Sequence, residues 1–389
     1  MPAVPPAPRP EPVLPDYGGA CIASVVPALV GALAGTVPPP WVPRTVASAD
    51  QVVLVVLDGL GFEQLTARAA LAPTLAGADG ADRPITSVAP STTACALTSL
   101  TTGFPPARHG PLGYGLAAED DQVLNVLRWT VGRAVPRDAR RLVPPSTVQP
   151  CTPFPGAARP VPVVTREGFG STGFTAAHLG DAPLIPYAVT STIAVEVRRL
   201  LAAGHRFTYV YYDGLDKVAH AHGLGEHFDA ELAAVDGLVA ELEDLLPRSA
   251  ALVVTADHGQ VDVGPAVEVL GPDVMDGVRL LSGEGRFRWL HALPGAVADV
   301  AAAALERYGD RAWVVTRAAA VEDGWFGGEL EPDVAARLGD VALVPYDPIA
   351  FLDPADTGES RLASRHGSLT PAEMLVPLLA LGGGGNIRA

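Results

Sequence analysis

The chain has 389 residues, 48% of them hydrophobic and 18% charged, with a formal net charge of −16. That length and apolar content support one large core with insertions, or two domains, and exclude general disorder. The acidic balance argues against long DNA or RNA as a partner, because nucleic-acid binding relies on Lys and Arg neutralising phosphates; a small substrate is expected instead.

Residues 1–16 are rich in proline, lack a basic n-region and read as a flexible or extended arm. The apolar stretch Cys21–Ala34 contains Pro27 and is too short to span a bilayer, so residues 20–36 are expected to form a buried helix and no membrane contact is expected. The three cysteines, Cys21, Cys95 and Cys151, are far apart and lack CxxC spacing. A disulfide framework is therefore not expected, and a reducing, cytoplasmic setting fits. Lys217 is the single lysine and has no GxxxxGK context, which excludes a lysine-dependent phosphate loop.

Gln51–Leu57 (QVVLVVL) is a continuous β-branched run, the pattern of a strand buried on both faces. It ends in Asp58-Gly-Leu-Gly61, and a helix is expected over Glu63–Leu71. Residues 133–167 read as loop with short strands. Helices are expected over Ser191–Ala203 and Phe228–Leu246. Phe207–Tyr212 (FTYVYY) and Ala250–Thr255 (AALVVT) are further strands, ending at Asp213 and at Asp257-His258. This alternation predicts an α/β fold with a mostly parallel central sheet and helices on both faces.

Residues 262–350 break the rhythm. A strand is expected over Arg286–Leu293, a helix over Gly295–Tyr308 and a strand over Ala312–Thr316, so this segment reads as a small α/β insertion. The core, 17–261, resumes over 351–389 with RHGSLTPAEMLVPLLALG from Arg365; the GGGG at 382–385 is a tail signal.

Ligands of open parallel sheets bind outside the carboxyl ends of the strands, and three apolar runs deliver an aspartate there. Asp216 and His220 stand at i and i+4, on one face of a helix, and could reach one ion. An ordinary surface turn explains the same spacing, and His222 and His227 are rival ligands. Asp257 and His258 could both ligate if the chain turns sharply at Gly259; a strand-to-helix turn with an Asp cap is the plainer explanation. His366 precedes Gly367, where a structural role is as ordinary. The hydroxyl run Ser91-Thr-Thr93 suits a helix cap, but a hydroxyl at a helix N-terminus is also placed to meet a phosphate. His and carboxylate ligands in these numbers suffice for two divalent metal ions, which can clamp the attacking and leaving oxygens of a phosphoryl displacement.

Taken in order, these elements resemble the nucleotide pyrophosphatase/phosphodiesterase family of the alkaline phosphatase superfamily. In that family a strand ends in a metal-binding Asp, as in VVLDGLG here. A threonine nucleophile stands ten residues before the Gly of a TG pair, here Thr102-Gly103, which points to Thr93. A P…HG element follows (Pro105 to His109-Gly110), then D-x-x-x-H-x-x-G (Asp216, His220, Gly223), D-H-G (Asp257 to Gly259) and H-G (His366-Gly367). The resemblance implies that Asp216, His220 and His366 hold one metal and Asp58, Thr93, Asp257 and His258 the other. The ions would be Zn²⁺, with Mn²⁺ the other ion that carboxylate-rich sites accept. Thr93 would attack phosphorus, giving a phosphothreonine that water then hydrolyses; Thr92 is the rival nucleophile.

Many members of that family carry an Asn three residues after the nucleophile. Here the position is Ala96, and donors of this kind are worth roughly 10²–10³ in rate. The resemblance implies a phosphodiesterase; Ala96 weighs against nucleotide-diester specificity more than against hydrolysis, and a phosphomonoesterase or phosphonate hydrolase on the same site is the near alternative. A non-catalytic metal- or ligand-binding relative is the alternative of another class. A sulfatase is disfavoured because Cys95 lacks its Cys-x-Pro-x-Arg motif, and a phosphoglycerate mutase because the insertion is short. Arg83, Arg108 and Tyr114 are candidate substrate contacts, for which surface roles compete.

Overall fold

A computed structural model of the chain describes residues 9–132, 135–356 and 361–382. The run β1 (Gln51–Leu57) is buried along its length after Gln51. It lies at the centre of a seven-stranded sheet with β2 (Pro84–Thr86), β3 (Val163–Arg166), β4 (Leu184–Tyr187), β5 (Phe207–Tyr212) and β6 (Ala250–Thr255); the seventh, C-terminal strand is Leu375–Gly382. The order is β2, the C-terminal strand, β6, β1, β5, β3, β4. Neighbours from β6 to β4 are parallel, and the C-terminal strand runs antiparallel to both β6 and β2. β-Branched residues fit this pleated interior, because both faces are covered and neither needs polar side chains.

Two helices set the scaffold of the site. α1 (Ile22–Leu33), with Pro27 inside it, packs against α2 (Thr93–Thr102), every residue of which is buried. α3 (Gly214–His222) follows β5 directly and packs against α4 (Glu226–Asp244). The helix expected over Glu63–Leu71 ends at Ala67. The chain turns there and starts a new short helix at Pro73; the residue before a proline is sterically kept from helical angles, and Ala72 has φ −131° and ψ 61°.

Residues 278–345 build a second, four-stranded antiparallel sheet from Val278–Glu284, Phe287–Ala292, Val341–Pro345 and Ala312–Thr316, in that spatial order. The helix Val297–Tyr308 packs on it, and Val274, Leu290, Val300, Ala304 and Phe351 belong to its own apolar cluster. A buried ion pair ties this sheet to the short helix Pro371–Met374 before the C-terminal strand: Arg286 donates from Nε and Nη2 to the two Glu373 oxygens at 3.0 and 2.6 Å.

The described part of the N-terminal arm is held rather than free. Val13 donates its N–H to Leu369 O at 2.9 Å, and the Trp313 indole N–H donates to Pro10 O at 2.8 Å. The rest of the arm, residues 1–8, and the glycine run beyond Gly382 lie outside the described residues. Among the described residues no helix is long and apolar enough to cross a membrane.

Candidate active site

All seven residues singled out from the sequence come together at the carboxyl edge of the parallel strands. Asp58 follows β1 and Asp257-His258 follow β6. Asp216 and His220 share a face of α3, Thr93 is the first residue of α2, and His366 arrives on the loop before the C-terminal strand. Donor atoms of Asp216, His220 and His366 all lie within 4.8 Å of one another, and so do those of Asp58, Asp216 and His258. Asp216 therefore stands between two groups. Its Oδ1 is 3.2 Å from His220 Nε2 and 3.8 Å from His366 Nε2. Asp257 stands beside the second group, with Oδ2 3.4 Å from His258 Nε2.

The two threonines separate clearly. Thr93 Oγ1 is 3.1 Å from His258 Nε2, whereas Thr92 Oγ1 turns away and donates to Glu284 at 3.1 Å. The rival histidines also fall outside the cluster: His222 and His227 are exposed and stack on each other at 4.0 Å. His109 of the P…HG element is buried against Ser99 of α2, its Nε2 2.7 Å from the hydroxyl, and so braces the helix that carries Thr93.

The histidines of the cluster are oriented alike. Nδ1 of His220 meets Ser364 O at 2.8 Å, Nδ1 of His258 meets Gly259 O at 3.0 Å, and Nδ1 of His366 meets Ser91 O at 3.1 Å. A carbonyl only accepts, so each Nδ1 carries the proton and each Nε2 presents its lone pair to the cluster. His258 and His366 stack at 3.5 Å. Burial lowers the pKa of His258; burial, with the neighbouring His258 and His220, lowers that of His366 well below the usual range.

The carboxylates are strained electrostatically in the opposite sense. Burial, then the charges of Asp257 and Asp216, holds Asp58 well above the usual carboxylate range, and burial raises Asp216 and Asp257 too. Asp58 Oδ1 and Asp257 Oδ2 are buried without a hydrogen-bond partner. Such orphaned oxygens are costly in a protein interior unless a cation meets them. Buried carboxylates, converging Nε2 lone pairs and two unpaired oxygens are a donor set that fits divalent cations.

Three residues around the cluster escaped the sequence reading. The Tyr211 phenol donates to Asp58 Oδ2. Gln260 donates to Asp216 Oδ1 at 2.6 Å and is itself held by Ser364, at 2.7 Å. Glu284 reaches the Thr92 hydroxyl from the second sheet. The period of two in FTYVYY, which puts Tyr209 and Tyr211 on one face, was the available signal for Tyr211; Gln260 and Glu284 stand in no motif.

A cavity of about 460 Å³ opens beside Asp58 and Thr93, with Phe169, Phe174 and Tyr211 among its aromatic walls. Its cations Arg128 and Lys217 differ: Lys217 pairs with Asp213, which Arg166 also holds at 2.6 Å, while Arg128 is exposed at the wall. None of Arg83, Arg108 and Tyr114 lines this cavity. Arg108 lies over the Phe104 ring, and Tyr114 accepts a hydrogen bond from Asn125.

The family model of type I phosphodiesterase / nucleotide pyrophosphatase matches residues 52–180 and 181–369, which include every residue of the cluster. No curated protein matches the chain. Among solved structures, murine ectonucleotide pyrophosphatase/phosphodiesterase 5 superposes with a TM-score of 0.62 at 16% identity, covering 85% of this chain and 88% of that one. The same murine protein has been solved as an inactive threonine-to-alanine variant in complex with AMP. Phosphonoacetate hydrolase from Sinorhizobium meliloti 1021, in complex with phosphonoformate, gives a TM-score of 0.60 at 20% identity, covering 90% and 92%. With the family model spanning most of its length, the chain belongs to the type I phosphodiesterase/nucleotide pyrophosphatase family, metal-dependent phosphoester hydrolases of the alkaline phosphatase superfamily.

Proposed function

We propose that this chain is a two-metal phosphodiesterase in which Thr93 is the nucleophile. The observation that carries the reading is the common orientation of His220, His258 and His366, each tied at Nδ1 to a carbonyl and presenting Nε2 to carboxylates with unpaired oxygens. On this reading Asp216, His220 and His366 hold one cation, and Asp58, Thr93, Asp257 and His258 the other. Zn²⁺ suits the His-carboxylate set, and Mn²⁺ is the competing ion. When bound, the cations would acidify the attacking hydroxyl and neutralise charge on the phosphoryl oxygens.

The remaining chemistry falls to the chain itself. Thr93 Oγ1 attacks phosphorus as the bond to the leaving oxygen breaks, giving a phosphothreonine; water then cleaves the new P–O bond and restores the hydroxyl. The first intrahelical bond of α2 is donated by Ala96 to Thr92 O at 2.9 Å. N–H groups of the turn before it are thus directed out of the helix end, where they can meet a phosphoryl oxygen in place of the missing Asn side chain. Tyr211 and Gln260 position Asp58 and Asp216. The 262–350 insertion contributes Glu284, which holds Thr92 and leaves Thr93 facing the cluster.

A phosphonate hydrolase on the same site is the second reading. Ala96 favours it, because a substrate other than a nucleotide diester need not use the absent amide, and the structural likeness to phosphonoacetate hydrolase supports it.

The test is metal content together with turnover of bis-p-nitrophenyl phosphate and p-nitrophenyl phosphate. The expected result is about two zinc ions per chain and a diester preference, with loss of at least roughly 10³-fold in Thr93→Ala. A monoester preference would move the function to a phosphatase. A chain that binds no divalent ion would sink the proposal.

A further inference from the structure

The N-terminal arm runs from the second sheet to the segment that enters the nucleophile helix. Besides its bonds to Trp313 and Leu369, it is joined to β2: the Asp16 N–H donates to Thr86 Oγ1 at 2.9 Å, and the Thr86 N–H donates to Ala20 O at 2.8 Å. Thr86 is the last residue of β2, seven before Thr93, and Leu369 stands three residues past His366. One short stretch of chain therefore touches the lead-in to the nucleophile and the loop that carries a ligand histidine.

Tyr17 makes the closest approach. Its hydroxyl donates to Trp325 O at 3.0 Å, and the Ala89 N–H is directed at the same oxygen at 3.5 Å. Ala89 is fully buried, stands four residues before Thr93, and its N–H meets no other acceptor among the described residues. A buried N–H needs such a partner. The phenol ring fits because residue 327 is a glycine with φ +76°: a Cβ there would stand 2.9 Å from Tyr17 Cδ2. Burial raises the phenol pKa well above its usual value, so the hydroxyl stays protonated.

The same lead-in is tied to the ligand loops. Ser87 Oγ donates to Asp257 O, the Ser91 N–H to Gly367 O at 3.2 Å, and Ser91 Oγ to Ser368 O at 2.6 Å. Residues 86–91 are thus bonded both to the arm and to the loops of Asp257 and His366, which leaves little slack before Thr93.

We infer that the arm is a positioning element of the reaction site: the Tyr17 hydroxyl sets the approach of Thr93, and the Val13 N–H steadies the loop of His366. A misplacement of about 1 Å at a reacting group can cost roughly 10² in rate. The inference rests on the phosphoesterase reading above for the role of Thr93.

The experiment compares the zinc-loaded full chain with two variants. Tyr17→Phe keeps the ring and removes the hydroxyl; Val13→Pro removes one N–H from a segment already rich in proline. Steady-state turnover of bis-p-nitrophenyl phosphate, the rate of zinc release to a chelator, and Tm are measured for each. Tyr17→Phe should lower kcat about tenfold while KM and zinc release stay at wild-type values. Val13→Pro should speed the release of one zinc ion about fivefold or more, the worth of one hydrogen bond. A lowered Tm alone belongs to any structural segment; the split between kcat in one variant and zinc release in the other does not. Wild-type kcat in Tyr17→Phe would overturn the inference, and so would kcat, KM and zinc release changing together in both variants, while wild-type zinc binding and turnover leave the phosphoesterase reading standing. A wild type that neither holds zinc nor cleaves the diester would overturn both.

Discussion

The ligand cluster and the cavity beside it share Asp58, Thr93 and Asp216 but are built in different ways. The cluster is assembled from strand ends and one helix turn, and each of its side chains is fixed from behind: His366 by Ser91 O, Asp216 by Gln260, Asp58 by Tyr211. The cavity draws its walls from several elements, Phe169 and Phe174 from short ones and Tyr209 and Tyr211 from β5, and mixes apolar with polar side chains. A site that must hold charge tolerates little displacement, because buried carboxylates without a cation are costly. A site that receives an organic group can change its walls with little effect on the chemistry. The cluster is thus expected to govern kcat and the cavity KM.

Breaking the support of the cluster gives the largest stability effect. Glu373 is fully buried and receives Arg286, the Ser368 N–H at 3.0 Å and the Thr370 hydroxyl at 2.5 Å. Glu373→Ala strands the Arg286 charge and frees the loop bearing His366. A loss of about 3–5 kcal/mol in denaturant unfolding is expected, with metal content falling below two ions per chain. Unchanged metal content at reduced stability would mean that the loop holds His366 without this pair. A cavity change should act differently. The half-buried Phe169 ring lies tilted to Tyr211 at 6.0 Å between centroids and under the Lys217 ammonium at 5.5 Å. Phe169→Ala should raise KM for an aryl diester by roughly 10–100-fold, the worth of a buried aromatic side chain, with kcat nearly kept. A fall in kcat at constant KM would erase the contrast between the two regions.

The same contrast decides what could be read from sequence. The ligands sit in short motifs because strand ends and one helix turn force fixed spacings: Asp216 and His220 must be four apart to share a face, and Asp257-His258 must follow β6 at once. The sheet was legible for a similar reason, since QVVLVVL, FTYVYY and AALVVT each form strands with the expected limits. The choice between Thr92 and Thr93 rested on one spacing, and it takes the position of Glu284, 192 residues away, to show which hydroxyl is turned from the cluster. The cavity was not legible. Phe169, His178 and Tyr209 come from three elements, and only the packing of those elements makes them neighbours. The anchoring of the arm was not legible either, because its proline content says nothing of Trp313, whose indole N–H holds Pro10.

The smallest effect concerns a histidine outside both regions. His109 is buried beneath the nucleophile helix, and burial pushes its pKa down to about 3. An unfolded histidine titrates near 6.5. Between those values the unfolded chain binds a proton that the folded chain refuses, so His109 destabilises the fold as pH falls through this window and is silent above it. The expected slope is about 1.4 kcal/mol of lost stability per pH unit below 6.5. His109→Gln keeps a polar atom near Ser99 without the titration. Unfolding free energies of the two proteins, measured from pH 7 down to pH 5, should therefore be parallel above 6.5 and diverge below it, the wild type falling faster. Parallel curves throughout would mean that the wild-type imidazole takes up its proton in the folded chain, and that the brace between His109 and Ser99 yields to charge as the cluster behind Thr93 does not.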